Sequence, residues 1–204
     1  MVKTVAITCT KPRCDDIVAR LQSKNIDAYA MPALTVRALD TIKPSGDYDT
    51  MLITSAHAIH EKLPQLPAIA VGTHTARLLQ KSGHTVIQTG EKGVDDLDLS
   101  PYTSILYPCA TQPTSIPEHC TPWSVYESVP NPDFKIHDQT DIIVCFSIKG
   151  AAQLSPSIVS TQNIICLSRA IADTLSWLNA DRLAVCDQPD YDSLEQLLIE
   201  ASQK

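Results

Sequence analysis

Only six of the 204 residues are glycine, and the chain contains neither a G-x-G-x-x-G fingerprint nor a Walker loop, so a phosphate-cradling loop is hard to build. No G-x-S-x-G elbow is present either, although composition alone does not exclude a Ser–His–Asp triad on another turn. Basic residues are scarce: 16 Lys and Arg stand against 23 Asp and Glu, a net charge of −7. The broad basic face that nucleic acid requires is missing, and no such partner is expected. Apolar runs are short, and none approaches the roughly 20 residues of a membrane helix, so no membrane partner is expected. The opening Met1-Val-Lys-Thr-Val-Ala-Ile-Thr-Cys is too briefly apolar for a signal peptide, and Pro12 follows closely. The expected location is therefore the cytoplasm. Cys-x-x-Cys pairs are absent, and the cysteine count of seven is odd. Several cysteines sit in apolar runs, such as Cys145 in Ile-Ile-Val-Cys-Phe and Cys166 in Ile-Ile-Cys-Leu. Reduced, buried thiols are expected rather than a metal or disulfide framework.

What is present is an ordinary globular composition, 44% hydrophobic, with room for one large or two small domains. Short apolar or β-branched runs read as strands at Val2–Cys9, Ile26–Met31, Thr50–Thr54, Ala68–Val71, Thr85–Gln88, Ser104–Tyr107, Trp123–Tyr126, Asp141–Phe146, Asn163–Leu167 and Arg182–Cys186. Asp15–Ser23, Thr73–Ser82, Arg169–Leu178 and Ser193–Ala201 carry helical spacing. This alternation, with strands apolar throughout rather than alternating, predicts α/β architecture with parallel sheets covered by helices.

An internal repeat underlies the alternation. Leu52-Ile-Thr-Ser-Ala-His-Ala-Ile returns as Val144-Cys-Phe-Ser-Ile-Lys-Gly-Ala, and Ala70-Val-Gly-Thr-His-Thr-Ala-Arg-Leu-Leu as Cys166-Leu-Ser-Arg-Ala-Ile-Ala-Asp-Thr-Leu. Generic likeness between α/β stretches is the alternative explanation; the repeated Ser directly after a strand argues against it. The first strand and helix then complete the second repeat, with the first repeat inserted. Pro32 and the Val129-Pro-Asn-Pro run mark the crossings. The expected domains are 1–32 with 131–204, and 35–126, each of about five parallel strands.

In open parallel sheets, ligands bind beyond the carboxyl ends of the strands. Those positions here hold Thr8, Thr10, Lys11 and Arg13; Thr54, Ser55 and His57; Gly72, Thr73, His74 and Thr75; Tyr107, Cys109 and Thr111; Ser147 and Lys149; Ser168 and Arg169. Hydroxyls at helix starts serve as caps or extend an anion-binding donor array. Their gathering at one edge with Lys11, Lys149 and Arg169 points to an anion site. His57 and His60 have metal-compatible spacing, but no third ligand is suggested. Tyr126 ends a strand beside a crossing, either as an amphipathic edge residue or as a phenol aimed at a ligand.

Several of these segments resemble one known family. Ile53-Thr-Ser-Ala-His-Ala-Ile is similar to its Phe-Thr-Ser-x-x-Ala-Val motif, Val71-Gly-Thr-His-Thr-Ala to Val-Gly-x-x-Thr-Ala, and Leu106-Tyr-Pro-Cys-Ala to Leu-Tyr-Pro-x-Gly. Val125-Tyr126 looks like its Val-Tyr-x-Thr crossing, and Thr10-Lys-Pro like its opening Thr-Arg-Pro. The family is uroporphyrinogen-III synthase, matched in order over residues 4–200. The resemblance implies two flavodoxin-like domains joined by a two-stranded crossing, with a cleft between them. It implies cofactor-free cyclisation of hydroxymethylbilane, an octacarboxylate, to uroporphyrinogen III with loss of water. Tyr126 would be the catalytic acid; Lys11, Thr54, Ser55, His57, Thr73, Thr75, Cys109, Ser147, Lys149, Ser168 and Arg169 would bind substrate. A monomer is expected, with handover from hydroxymethylbilane synthase as a compatible partnership. The departure is Ser168-Arg-Ala-Ile-Ala, where Ile171 replaces a family threonine. A divergent, non-catalytic binder of tetrapyrroles or other anions is the alternative this substitution raises.

Overall fold

The computed structural model describes residues 3–91, 93–156, 159 and 161–202. Val2, where the sequence reading opens the first strand, lies outside them. The elements run β1 (Val5–Ile7), α1 (Lys11–Gln22), β2 (Ala28–Ala30), β3 (Leu34–Ala38), β4 (Thr50–Ile53), β5 (Ala68–Val71), α2 (Thr73–Lys81), β6 (Val86–Gly90), β7 (Ile105–Ala110) and β8 (Cys120–Pro130). They continue with β9 (Ile142–Cys145), α3 (Ile148–Ala151), β10 (Asn163–Cys166), α4 (Arg169–Ala172), β11 (Leu183–Val185) and α5 (Tyr191–Ser202).

Two compact units result. One comprises Met1–Thr35 and Val129–Lys204, the other Val36–Ser128. The first holds a five-stranded sheet in the order β11-β10-β9-β1-β2, and its strand pairs are all parallel. Renumbered within the unit this is the flavodoxin-like order 2-1-3-4-5. The second holds a six-stranded sheet, β3-β8-β7-β4-β5-β6. Laid side by side, β4, β5 and β6 correspond to β9, β10 and β11, while β7 and β8 correspond to β1 and β2.

The repeat extends to the amino ends of the strands. Asp49, just before β4, accepts hydrogen bonds from the backbone N–H groups of Thr103 and Ser104, just before β7. Asp141, just before β9, accepts one from Thr4, just before β1. Asp49 and Asp141 are as far apart as Ser55 and Ser147, 92 residues in each case (141 − 49 and 147 − 55). Each copy thus pins its central strand pair with an Asp at one end and places a Ser at the other.

The chain passes between the units along β3 and β8, which pair with each other. Leu39 N–H donates to Val125 and Asn131 N–H to Ala33, so the pairing runs antiparallel, and Arg37 and Glu127 form an ion pair across it. β3 escapes the sequence reading because Thr35 and Arg37 interrupt its apolar residues and only Leu34 is buried, the others being partly or fully exposed, as an edge strand permits. β8 is longer than Trp123–Tyr126 and includes Pro122. β3 flanks only its later half, so at Pro122 the strand is an edge and the missing N–H has no ladder partner to lose.

The apolar runs are continuous because both faces are covered. In β9, Ile142, Ile143, Val144 and Cys145 are all fully buried. In the second unit the period-2 alternation divides the side chains. Met51, Ile53, Ala68, Ala70 and Leu106 pack with Ala76 and Leu79 of α2 and with Trp123. Leu52, Ile69, Ile105 and Tyr107 pack against Leu97, Leu99 and Tyr102 of a loop. That second face is thus covered by loop and a 3-10 turn rather than by a regular helix, a departure from the expected helical cover. The helix expected over Arg169–Leu178 is α4 followed by a 3-10 turn at Asp173–Leu175.

Thr8, at the sheet edge where β1 and β9 diverge, is buried, and its hydroxyl donates to the Val144 carbonyl at 2.7 Å. It serves the fold rather than a ligand. Thr8→Val is expected to lower unfolding stability by about 1 kcal/mol in a denaturant titration. An unchanged midpoint would show that the bond contributes nothing.

Candidate active site

In the second unit the strand order reverses between β4 and β7, the crevice where open α/β sheets bind ligands. β4 ends into Thr54 and Ser55. The Thr54 hydroxyl lies 3.2 Å from the Tyr107 phenol, tying the two diverging strands together. Ser55 has extended backbone and caps a 3-10 turn, its hydroxyl accepting from His57 N–H at 3.3 Å. A register shift between Cys109 and Ala110 brings Ala110 opposite Tyr126. Such a bulge re-aims a side chain. Here the Tyr126 phenol faces the Ser55 side chain, and its ring centroid stands 5.7 Å from that of His57. Thr111 N–H holds the Tyr126 carbonyl.

Burial raises the pKa of Tyr126, with the Ser55 side chain opposing it. It raises Tyr107 as well, there opposed by Thr54. Burial lowers His57. At neutral pH, Thr54, Ser55, His57, Tyr107 and Tyr126 therefore carry protons but no charge. The group can donate hydrogen bonds or a proton to a departing oxygen without bringing a carboxylate near an anionic ligand. Tyr107, read from the sequence as a strand-end position but given no binding or catalytic role there, joins it. The available signal was its Leu-Tyr-Pro context at the end of a strand.

His60 is lowered by burial too, and its ring stacks edge-on against Trp123 at 5.1 Å. For both histidines the folded pKa lies below the unfolded value of about 6.5, so the unfolded state binds more protons in that window. Their contribution is present above about 6.5 and is lost as pH falls through the window. The melting temperature is expected to drop between about pH 7 and 5.5, and to drop less in a His57→Gln, His60→Gln double variant. Equal slopes in the two proteins would assign the dependence elsewhere.

The other expected residues of this unit are dispersed. Thr73 opens α2 and is exposed, whereas Thr75 is only 6% exposed and belongs to the core side of that helix. Gly72, before α2, has φ 82°, a conformation L side chains rarely adopt. Cys109 is buried in the cluster of Leu52, Ile69 and Ile105, and burial raises its thiol pKa. It packs as a small apolar residue.

In the first unit the reversal lies between β1 and β9. Ser147 caps α3, accepting from Gly150 N–H at 3.0 Å. Ser168 occupies the cap position of α4 without a side-chain cap bond. Lys149 is exposed on α3. Lys11 pairs with Asp15 and Arg169 with Asp173, each at 3.1 Å and one helical turn away. Arg13 lies over the Phe146 ring at 5.2 Å. The bases expected from the sequence are thus at the carboxyl edge, but two of them already face an acid.

A cavity of the first unit lies away from its carboxyl edge. That cavity, about 200 Å³, is lined by Lys3, Asn163, Asp181, Arg182, Leu197 and Glu200 around the amino ends of β9, β10 and β11. Arg182 there already donates to the Gln162 carbonyl and Lys3 to that of Ala201. Among the described residues no group of three or more His, Cys, Asp or Glu could hold a metal ion, and His57 and His60 gain no third ligand.

No family model matches the sequence, and no curated protein matches it. Solved structures do match. Uroporphyrinogen-III synthetase from Helicobacter pylori 26695 superposes with a TM-score of 0.64 at 13% identity, over 98% of this chain and 100% of that one. A mutant uroporphyrinogen III synthase from the extremely thermophilic bacterium Thermus thermophilus superposes with a TM-score of 0.52 at 12% identity, over 98% of each chain. At such identities the shared property is the fold: over nearly its whole length, this chain is built as those two synthases are.

Proposed function

We propose that this protein is a uroporphyrinogen-III synthase, a hydro-lyase that cyclises hydroxymethylbilane with inversion of ring D. The observation that carries the reading is the uncharged hydroxyl–phenol–imidazole group of Ser55, Tyr126 and His57, at the strand-order reversal of a fold shared with solved synthases. Hydroxymethylbilane loses its hydroxyl readily, and the electrophile left behind closes unaided to the wrong isomer. The enzyme must hold the chain so that the substituted carbon of ring D attacks and a spiro intermediate forms. Orientation provides most of this selectivity. Lys11, Lys149 and Arg169 take substrate carboxylates, with Thr73, Ser147 and Ser168 adding hydroxyls and backbone N–H groups at helix starts. Tyr126 gives its proton to the departing hydroxyl, which leaves as water. No cofactor enters the scheme. The protein would act as a cytoplasmic monomer, receiving its unstable substrate from hydroxymethylbilane synthase.

The reading as a non-catalytic binder rests on Ile171 in place of a hydroxyl. Thr75 is its counterpart in the first repeat, and both residues are 6% exposed. Ile171 packs in its unit's core, so an apolar residue suits that place whether or not the protein turns substrate over. The test is incubation with freshly generated hydroxymethylbilane, with the I and III isomers resolved after oxidation. An isomer ratio equal to that of the protein-free reaction would overturn the proposal.

A further inference from the structure

Two thiols of the first unit have no part in the proposed chemistry and touch each other. Cys9 Sγ donates to Cys14 Sγ at 3.0 Å, and Cys14 Sγ lies 3.1 Å from the carbonyls of Ile7 and Cys9. The start of α1 explains the contact. Thr10 is the cap residue, so Cys9 precedes the cap and Cys14 is the fourth helical residue. Side chains at those two positions pack across a helix entry and fix its angle. Carbon side chains would make an inert staple; here both members are sulfur. A second contacting pair, Cys145 and Cys166, lies directly opposite on β9 and β10, but both residues are fully enclosed. Of these four residues only Cys9 keeps any exposure, 8%.

We propose that Cys9 and Cys14 form an oxidisable dithiol, a modification site at which a low-molecular-weight disulfide converts the staple into a covalent one. The Cys9 thiolate attacks one sulfur of the reagent and displaces a first thiolate. Cys14 sulfur then attacks Cys9 sulfur, its proton passing to the released thiolate, and the second thiolate leaves and is protonated from solvent. Two protein thiols are oxidised to one disulfide, and the reagent is reduced to two thiols. The Cys9 contact and burial together push the Cys14 thiol well up, so the second step is slow, on the minutes-to-hours scale of uncatalysed exchange. The same enclosure shields the product from reductant. The assignment does not depend on the proposed enzymatic activity.

The test uses the folded full-length protein and oxidised glutathione, followed by alkylation in denaturant and tryptic digestion. Pro12 blocks cleavage after Lys11, so Cys9 is carried on Thr4–Arg13 and Cys14 opens the next peptide, Cys14–Arg20. The expected product is these two peptides joined, separable by reduction and absent from Cys9→Ser and Cys14→Ser. In Cys14→Ser the reaction should stop at a glutathione adduct on Cys9. Three outcomes each overturn the proposal: both peptides alkylated after oxidation, linkage of either to another cysteine, or a link that forms only when the protein is oxidised in denaturant.

Discussion

Tyr126→Phe should slow formation of the III isomer at least about tenfold while leaving fold and product affinity unchanged. The variant removes one oxygen from a ring otherwise held by packing on the core cluster of Met51, Ile53 and Trp123 and by its neighbour His57. Burial raises the phenol above its ordinary pKa near 10, so it stays protonated throughout the neutral range. That makes it a dependable donor and a weak acid. General acids typically contribute about 10²–10⁴-fold, and an easily lost hydroxyl places this one at the lower end. As the enzyme falls behind, the spontaneous I isomer should rise in proportion. Tyr107→Phe is the informative control. Its phenol meets Thr54 rather than Ser55, and its removal should cost less than that of Tyr126. Unchanged III-isomer rates in folded Tyr126→Phe would take the residue out of the mechanism. Equal losses in the two variants would mean that the whole hydroxyl group, not one phenol, assists departure.

The sheet strands were legible because each buried strand is a continuous apolar run, as in Ile142–Cys145, and covering both faces demands this. β3 was not, because an edge strand needs no continuous apolar run, and Leu34-Thr-Val-Arg-Ala offers only a short alternation with Leu34 alone buried. The loop cover over Leu52 and Ile105 was hidden for a related reason. Leu97, Leu99 and Tyr102 supply apolar contact without helical spacing. At the site, the residue pattern locates Ser55 and Ser147 at equivalent turns, where each caps its own helix or turn. The same spacing would have led from Asp49 to Asp141 had it been followed upstream. What no spacing conveys is direction. Thr8, Thr75 and Cys109 sit beside strand ends like their neighbours, yet their side chains turn into the core. Nor does composition tell which bases are already partnered. The acids at Asp15 and Asp173 lie one helical turn beyond Lys11 and Arg169, and only the helix brings each pair together.

Those two pairs set the size of the remaining expectation. Replacing Lys11, Lys149 and Arg169 together by alanine should weaken product binding by on the order of 100-fold, while each single replacement should cost about fivefold or less. The exposure of the groups decides this. In the Lys11–Asp15 pair the side chains are 75% and 51% exposed, and in Arg169–Asp173 81% and 62%, so solvent screens both strongly. A ligand carboxylate would therefore displace a weak partner, and would gain little at any one base. Three such gains on a single polyanion add, because the ordering of the ligand is shared among them. Salt gives an independent reading. Wild-type affinity should fall between low ionic strength and about 1 M, where the Debye length shrinks to about 3 Å, and the triple variant should be nearly flat. The acids offer a test of opposite sign. Asp15→Asn with Asp173→Asn frees both bases and removes two negative charges, so it should tighten binding at low salt. A folded triple variant that binds product as wild type does would show that the carboxylates are held elsewhere. So would an Asp15→Asn, Asp173→Asn variant with unchanged affinity, because the bases it frees would then be facing no ligand.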